Sequence, residues 1–416
     1  MTVETNPGSR HIPALDGLRA FAVTAVIFCH VSNTWDWEQV AHSRLSQPLT
    51  VLFGWGWTGV DLFFVLSGFL ITGILYEAKG RENYFRNFYA RRALRIMPLY
   101  YGFLLLTLIV LPAVLPHLPS RASPLLKVPA LAPGDAASLF LYYSNFQIAF
   151  THRSLDVFTP FWSLAVEEHF YLLWPMAVWL LSRHNLMRLC VVGAAASLGW
   201  RIVVLFAGGN DQIARLITPG ALDGLLCGGW LALARRDEVT WAKVRSWTMP
   251  VLCCAGGIAL CLMAAKMRFV SGLDLRATDK IMTAGVATGT LGIAALALFF
   301  AALMARVLDA QPGSPLRRVL EHSSLTAIGK YSYAIYVFHS LILVYVYRLA
   351  AGRLAPYVPL SLAKVLIALS LLGISFVAAW FSYHGFEIHF LRLKRYFENG
   401  RVAYPQVLPT PQSVEP

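Results

Sequence analysis

Four stretches combine residue types and spacings that can do chemistry inside otherwise apolar runs. In LDGLRAFAVTAVIFCH, Arg19 and His30 are 11 residues apart. At about 100° per residue this closes three turns plus roughly 20°, which puts both side chains on one helix face about 16 Å apart. Neutral imidazole is the usual general base near neutral pH, so His30 is a candidate base, set against the plainer reading of a core histidine bonded to a neighbouring helix. In FWSLAVEEHFYLLWP, Glu167, Glu168 and His169 interrupt a second apolar run. Ser163, Glu167 and Tyr171 follow i, i+4, i+8 and share a face. Two adjacent carboxylates are not expected to enter one site, so Glu167 is assigned to it and Glu168 to a structural or interhelical role, with the reverse order left open. The competing reading is a purely structural polar clamp.

The third stretch, NYFRNFYARRALRIMPLYY, holds Arg91 and Arg95 one turn apart with Arg92 beside them. Paired guanidinium groups bind phosphate bidentately, although an ordinary cytoplasmic anchor has the same composition. In IGKYSYAIYVFHS, Ser332, Tyr336 and His339 line one face at spacings of four and three, with Tyr333 adjacent. Tyrosines near membrane ends are often interfacial anchors; a histidine one turn beyond Tyr336 favours a polar cavity. Asp61 and the Ser67-Gly68 pair sit in VDLFFVLSGFLITG, where small residues permit close helix packing, and Arg201 is expected to snorkel to the interface.

These residues must be positioned by elements that live in lipid. Of the 416 residues, 57% are hydrophobic and 14% charged, against roughly a quarter charged in soluble domains, which excludes a soluble enzyme. The 30 Gly and 22 Pro are near average and show no G-X-Y register, which excludes a collagen-like or disordered chain. The net charge of +13 sits in short gaps between apolar runs, with no finger spacing and no free basic helix, so nucleic acid is not an expected partner. The six cysteines fall inside apolar runs without a C-x-x-C and are expected to be small core residues. No set of carboxylates and histidines has spacing that calls for a metal.

Spanning takes about 20 mostly apolar residues. Ten segments qualify: 14–33, 57–76, 98–116, 161–181, 187–206, 219–235, 248–265, 282–305, 328–347 and 363–385. The stretch 137–150 is too short and reads as an interfacial or re-entrant piece. With the N-terminus inside, the inner segments carry nearly twice the Lys and Arg of the outer ones; counting 137–150 as a span would move the clusters after 235 and 306 outside. The expected fold is therefore all-α, a polytopic transmembrane helix bundle of about ten spans with both termini cytoplasmic. It divides into a cytoplasmic tail 1–11, a membrane domain 12–390 and a cytoplasmic tail 391–416. The first apolar run is long enough to be a retained helix instead of a cleaved signal, and no appended soluble domain is expected.

Taken together, the motifs resemble acyltransferase family 3, the multi-pass membrane acyltransferases that include bacterial O-antigen and exopolysaccharide O-acetylases and macrolide acyltransferases. The family's Arg-x10-His signature matches Arg19 and His30, its FFxLSGFLI segment Phe63 to Ile71, and its Arg-Arg-x-x-Arg stretch Arg91, Arg92 and Arg95. Its SLxVEEQFY segment matches Ser163 to Tyr171, with His169 in place of Gln, and its GxxSYxxYxxH segment matches Gly329 to His339. A late Glu387 is followed by His389 where the family often has Pro, which leaves its role open. Members with a fused extracytoplasmic domain are similar in the membrane part alone.

The resemblance implies transfer of an acyl group, commonly acetyl, from acyl-CoA to a hydroxyl of a sugar or glycosylated product, in the bacterial cytoplasmic membrane and without a permanently bound cofactor. Acyl-CoA is a cytosolic polyanion, and the basic mouth at Arg91, Arg92 and Arg95, with Arg19 just deeper, suits it. In this reading His30 is the base, Glu167 orients and stabilises its imidazolium, and Ser163, Ser332, Tyr333, Tyr336 or His339 contacts the acceptor or the developing oxyanion. Direct transfer and a covalent acyl-histidine are both open. The competing class is a transporter or flippase for a carbohydrate-type substrate, its polar residues forming a path.

Overall fold

Long apolar runs broken by short polar turns fold as one helix after another in the computed structural model, which describes residues 11–33, 52–114, 117, 131–132, 134–271, 287–354 and 360–397. Of the expected tails 1–11 and 391–416, residues 1–10 and 398–416 lie outside the described residues, as do Arg10, Arg44, Arg121, Lys127, Arg276, Lys280 and Arg401 of the charge tally.

The helices run α1 (Pro13–Asn33), α2 (Thr58–Ala78) and α3 (Tyr84–Leu105), the last continuing through a π turn to Val114. Two short helices follow, α4 (Asp135–Phe140) and α5 (Ser144–Thr151), and neither is long enough to cross a bilayer. Next come α6 (Trp162–Leu180), α7 (Arg183–Phe206), α8 (Asp211–Leu216), α9 (Leu222–Ala234) and α10 (Glu238–Ser271). The series closes with α11 (Ile293–Asp309), α12 (Pro315–Leu320), α13 (Ser323–Lys330), α14 (Ser332–Leu354) and α15 (Leu360–Ser382). Among the described residues there is no strand.

Every one of the ten apolar segments carries a helix, yet among the described residues only seven helices are long and apolar enough to cross on their own, or eight if the pair α13 and α14, bent by 73°, forms one broken span. The physical reasons are local. Glu167, Glu168 and His169 lower the hydropathy of α6, and α9 has only 13 residues.

Helix association in lipid depends on close van der Waals approach, which small residues allow. A Cβ on Gly68 of α2 would stand 1.8 Å from the Leu225 carbonyl oxygen of α9, and one on Gly228 of α9 would stand 2.0 Å from the Val65 carbonyl oxygen of α2. The two helices thus lock through reciprocal glycines, and this contact fixes the neighbouring Ser67. Outside, Leu172, Leu173, Val191, Val192 and Phe206 are exposed, the surface lipid requires.

Two expectations about polar groups change. Arg201 does not snorkel; it is fully buried and donates to the Asp223 carboxylate at 2.7 Å, to the Gly220 carbonyl at 2.7 Å and to Ser197 at 3.2 Å. A partner carboxylate on α9 makes burial cheaper than reaching for water. Cys29 and Cys190 are buried as expected, but Cys253, Cys254 and Cys261 are exposed on α10.

Candidate active site

Eight helices contribute to the wall of a cavity of about 890 Å³. Its wall carries Arg19 of α1, Arg92 and Arg95 of α3, Arg235 and Arg236 at the end of α9, and Arg317 of α12. On the same wall stand Ser67 of α2, Ser163, Glu167 and Glu168 of α6, and Ser332, Tyr333 and Tyr336 of α14, with Arg92 reaching the acidic helix through the Tyr171 ring. The bend after α13 starts α14 at Ser332 and turns its Ser332 and Tyr336 face into this space.

Both carboxylates border the cavity, which corrects the expectation that adjacent acids cannot share a site. Consecutive residues are only about 100° apart on a helix, and a space this wide spans that arc. Glu167 accepts from Ser67 Oγ at 2.7 Å. The guanidinium of Arg92 lies over the Tyr171 ring, 3.8 Å from its centroid, so a cation faces the acidic helix one turn from Glu167. His169 points away from the cavity and pairs with Thr218 Oγ1 at 2.6 Å.

The arginine triplet divides. Arg92 and Arg95 line the cavity, whereas Arg91 is not on its wall and its Nε donates to the Asn87 carbonyl at 3.2 Å. With Arg92 as reference, Arg95 and Ile96 lie about 60° to one side and about 40° to the other, and Arg91 falls about 100° away, off the edge of that face. Arg19 holds Asp16 at 2.6 Å, and His11 holds the other oxygen of Asp16 at 2.5 Å.

The two histidines come together. His30 and His339 meet edge to face, ring centroids 4.9 Å apart. The Nδ1 of His30 bonds the Val26 carbonyl at 2.9 Å and that of His339 the Tyr336 carbonyl at 2.5 Å. A carbonyl only accepts, so each Nδ1 carries the proton and, in the neutral ring, each Nε2 offers a lone pair. The Nε2 of His339 is taken by Ser340 Oγ at 3.2 Å.

Neither histidine lies on the cavity wall. Tyr336 stands between, its ring 5.3 Å from that of His339 and its hydroxyl bonded to Ser163 at 2.7 Å and donated to the Pro160 carbonyl at 2.7 Å. Among the described residues, Glu167 has no hydrogen bond to His30, so the expected orienting contact is replaced by the ring of His339. Glu167 is held instead by Ser67. Tyr333 gives its hydroxyl hydrogen to the Ile96 carbonyl at 3.0 Å, and Tyr336 gives its own to Pro160, so neither is an open oxyanion donor in this state.

Sequence reasoning missed Asp16, whose i, i+3 spacing to Arg19 was the available signal. It assigned Ser67 to packing, and it read Arg235 and Arg317 only as markers of orientation.

Comparison with known proteins agrees with the polar architecture. The acyltransferase domain model matches residues 12–384. The O-acetyltransferase OatA of Staphylococcus aureus (strain NCTC 8325 / PS 47) is 30% identical over 359 residues, covering 81% of this chain and 51% of the relative. The peptidoglycan O-acetyltransferase OatA of Listeria monocytogenes serovar 1/2a is 29% identical over 349 residues, covering 80% of this chain and 50% of the relative. The chain thus spans about half the length of these curated relatives. No solved structure matches it.

Proposed function

The chain belongs to the acyltransferase family, and from that membership we propose that it is an integral membrane O-acyltransferase moving an acyl group, acetyl in the first instance, from acyl-CoA to a saccharide hydroxyl. The observation that carries this reading is one cavity whose wall brings several arginines together with Ser163, Glu167 and Tyr336, backed by the His30–His339 pair. The peptidoglycan named for the Listeria relative is one acceptor of this chemical class.

In this scheme all ten apolar segments cross or enter the cytoplasmic membrane of a bacterium and both termini are cytoplasmic, so the arginine-lined mouth opens to cytosolic acyl-CoA. Arg92 and Arg95 hold donor phosphate, and the pantetheine arm extends toward Ser163. The acceptor hydroxyl approaches from the His30 side of Tyr336, and His30 Nε2 takes its proton as the oxygen attacks the thioester carbonyl. The carbon–sulfur bond then breaks, and the CoA thiolate leaves with the proton that His30 carried. Parting Tyr336 from Ser163 and Pro160 costs about 1 kcal/mol per hydrogen bond, small beside the barrier of acyl transfer. Ser332, on the cavity wall and without a hydrogen bond among the described residues, serves the developing oxyanion. Glu167 and Glu168 lie on the wall of the same cavity, where a carboxylate favours the imidazolium formed during transfer.

The test is mass spectrometry of glycans and secreted glycosylated metabolites from a deletion strain. Loss of an acetyl ester from one saccharide class, restored by the wild-type gene and not by His30→Ala, is the expected result. An unchanged acetylation profile overturns the reading, and accumulation of an untransported saccharide favours a transporter instead.

A further inference from the structure

Arg235 stands at the C-terminal end of α9 on the wall of the same cavity as Arg92 and Arg95 of α3, outside every motif stretch. Its neighbour Arg236 is clamped, donating to the Gly73 carbonyl at 2.9 Å, the Ala232 carbonyl at 2.5 Å and the Glu77 carboxylate at 2.8 Å. Those bonds pin the end of α9 to α2 and leave the Arg235 side chain exposed toward the cavity. Arg19 and Arg236 each hold a carboxylate, but among the described residues neither Arg235 nor Arg95 forms an ion pair. Two guanidinium groups from helices far apart in sequence therefore border one space without a carboxylate in ion-pair contact among the described residues. That arrangement suits a ligand bearing two separated anionic groups.

We propose that Arg235 binds the ribose 3′-phosphate of the acyl-CoA donor while Arg95 takes its diphosphate. The inference rests on the acyl-CoA reading and deepens it. Which arginine takes which group follows from the connectivity of the donor. The diphosphate is joined directly to the pantetheine arm, which must run toward Ser163, and Arg95 shares its helix face with Arg92, which touches Tyr171 beside the acidic pair. The 3′-phosphate hangs from the ribose at the end remote from the arm, and Arg235 lies at a helix end next to the turn that leads into α10. The protein then distinguishes CoA thioesters from thioesters that lack this phosphate, such as dephospho-CoA.

The experiment is competition of CoA and 3′-dephospho-CoA against radiolabelled acetyl-CoA bound to the purified full chain in detergent. Wild type should prefer CoA by about tenfold or more, as befits a charge-assisted bond. Arg235→Ala should lose that preference by weakening CoA alone, Arg235→Lys should keep part of it, and Arg245→Ala, an exposed arginine off the cavity wall, should behave as wild type. Equal wild-type affinity for the two competitors, or an Arg235→Ala variant that weakens both alike, overturns the assignment. Should wild type bind no acetyl-CoA, the donor reading itself falls and this inference with it.

Discussion

The imidazole of His30 lies edge-on to that of His339, centroids 4.9 Å apart and planes at 79°, across two helices more than three hundred residues apart in the chain. Each ring is anchored through Nδ1 to a carbonyl of its own helix, so the pair is oriented before any substrate arrives. His30 alone keeps an Nε2 that no described hydroxyl occupies. Replacing His339 by Ala should therefore lower kcat by about tenfold to a hundredfold through loss of ring orientation, while His30→Ala, which removes the proposed base, should cost about 10²–10⁴-fold. Steady-state transfer kinetics compare the two; an equal loss would make the rings one functional unit.

Arg91 and Arg95 carry the same charge on one helix, but only Arg95 borders the cavity. Arg95→Ala should raise the KM for acyl-CoA about tenfold with little change for the acceptor, and Arg91→Ala should leave the donor KM within about twofold. A donor KM that rises equally in both variants would mean that general charge at the membrane surface, and not the cavity face, recruits the donor.

Arg201 and Asp223 form a buried ion pair at 2.7 Å, away from the cavity wall. Arg201→Ala strands the carboxylate and should destabilise the protein by about 3–5 kcal/mol, read as a fall in detergent-solubilised Tm. The double variant Arg201→Met with Asp223→Leu should recover most of that loss, because no charge is then left buried. Failure of the double variant to recover would point to the Gly220 and Ser197 bonds as the main contribution of Arg201.

At Gly68, a methyl group would meet the Leu225 carbonyl oxygen at 1.8 Å, so α2 and α9 must separate to admit it. Gly68→Ala is expected to cost about 1–3 kcal/mol or more and to reduce activity as well, since Ser67 would carry its bond away from Glu167. Thermal shift and transfer rate on one preparation test both; an unchanged Tm would show that the helices can slide apart freely.

Much of this was legible in the sequence. Hydrophobic runs located every long helix, and the eleven-residue interval between Arg19 and His30 put both on α1. What periodicity could not supply was the partner across space. Arg201 looked like a snorkelling residue because Asp223 lies on another helix, and Glu168 looked structural because the width of the cavity is a property of eight helices together. The partition by Tyr336 was equally hidden, since its hydroxyl is held by Pro160 and Ser163 from a helix far away in the chain. The break at Tyr331 has no proline or glycine at the bend to announce it.

The central claim is that a cytosolic thioester enters at the arginine-lined mouth and that His30 activates the alcohol that receives its acyl group. The most direct measurement is transfer of radiolabel from acetyl-CoA to an extracted saccharide fraction by the purified protein in detergent, wild type beside His30→Ala, with donor binding measured on both. The account predicts labelled saccharide from wild type, a loss of about a hundredfold or more in the variant, and equal donor affinity. Wild-type protein that transfers no label, or a variant that labels as fast as wild type, would contradict it.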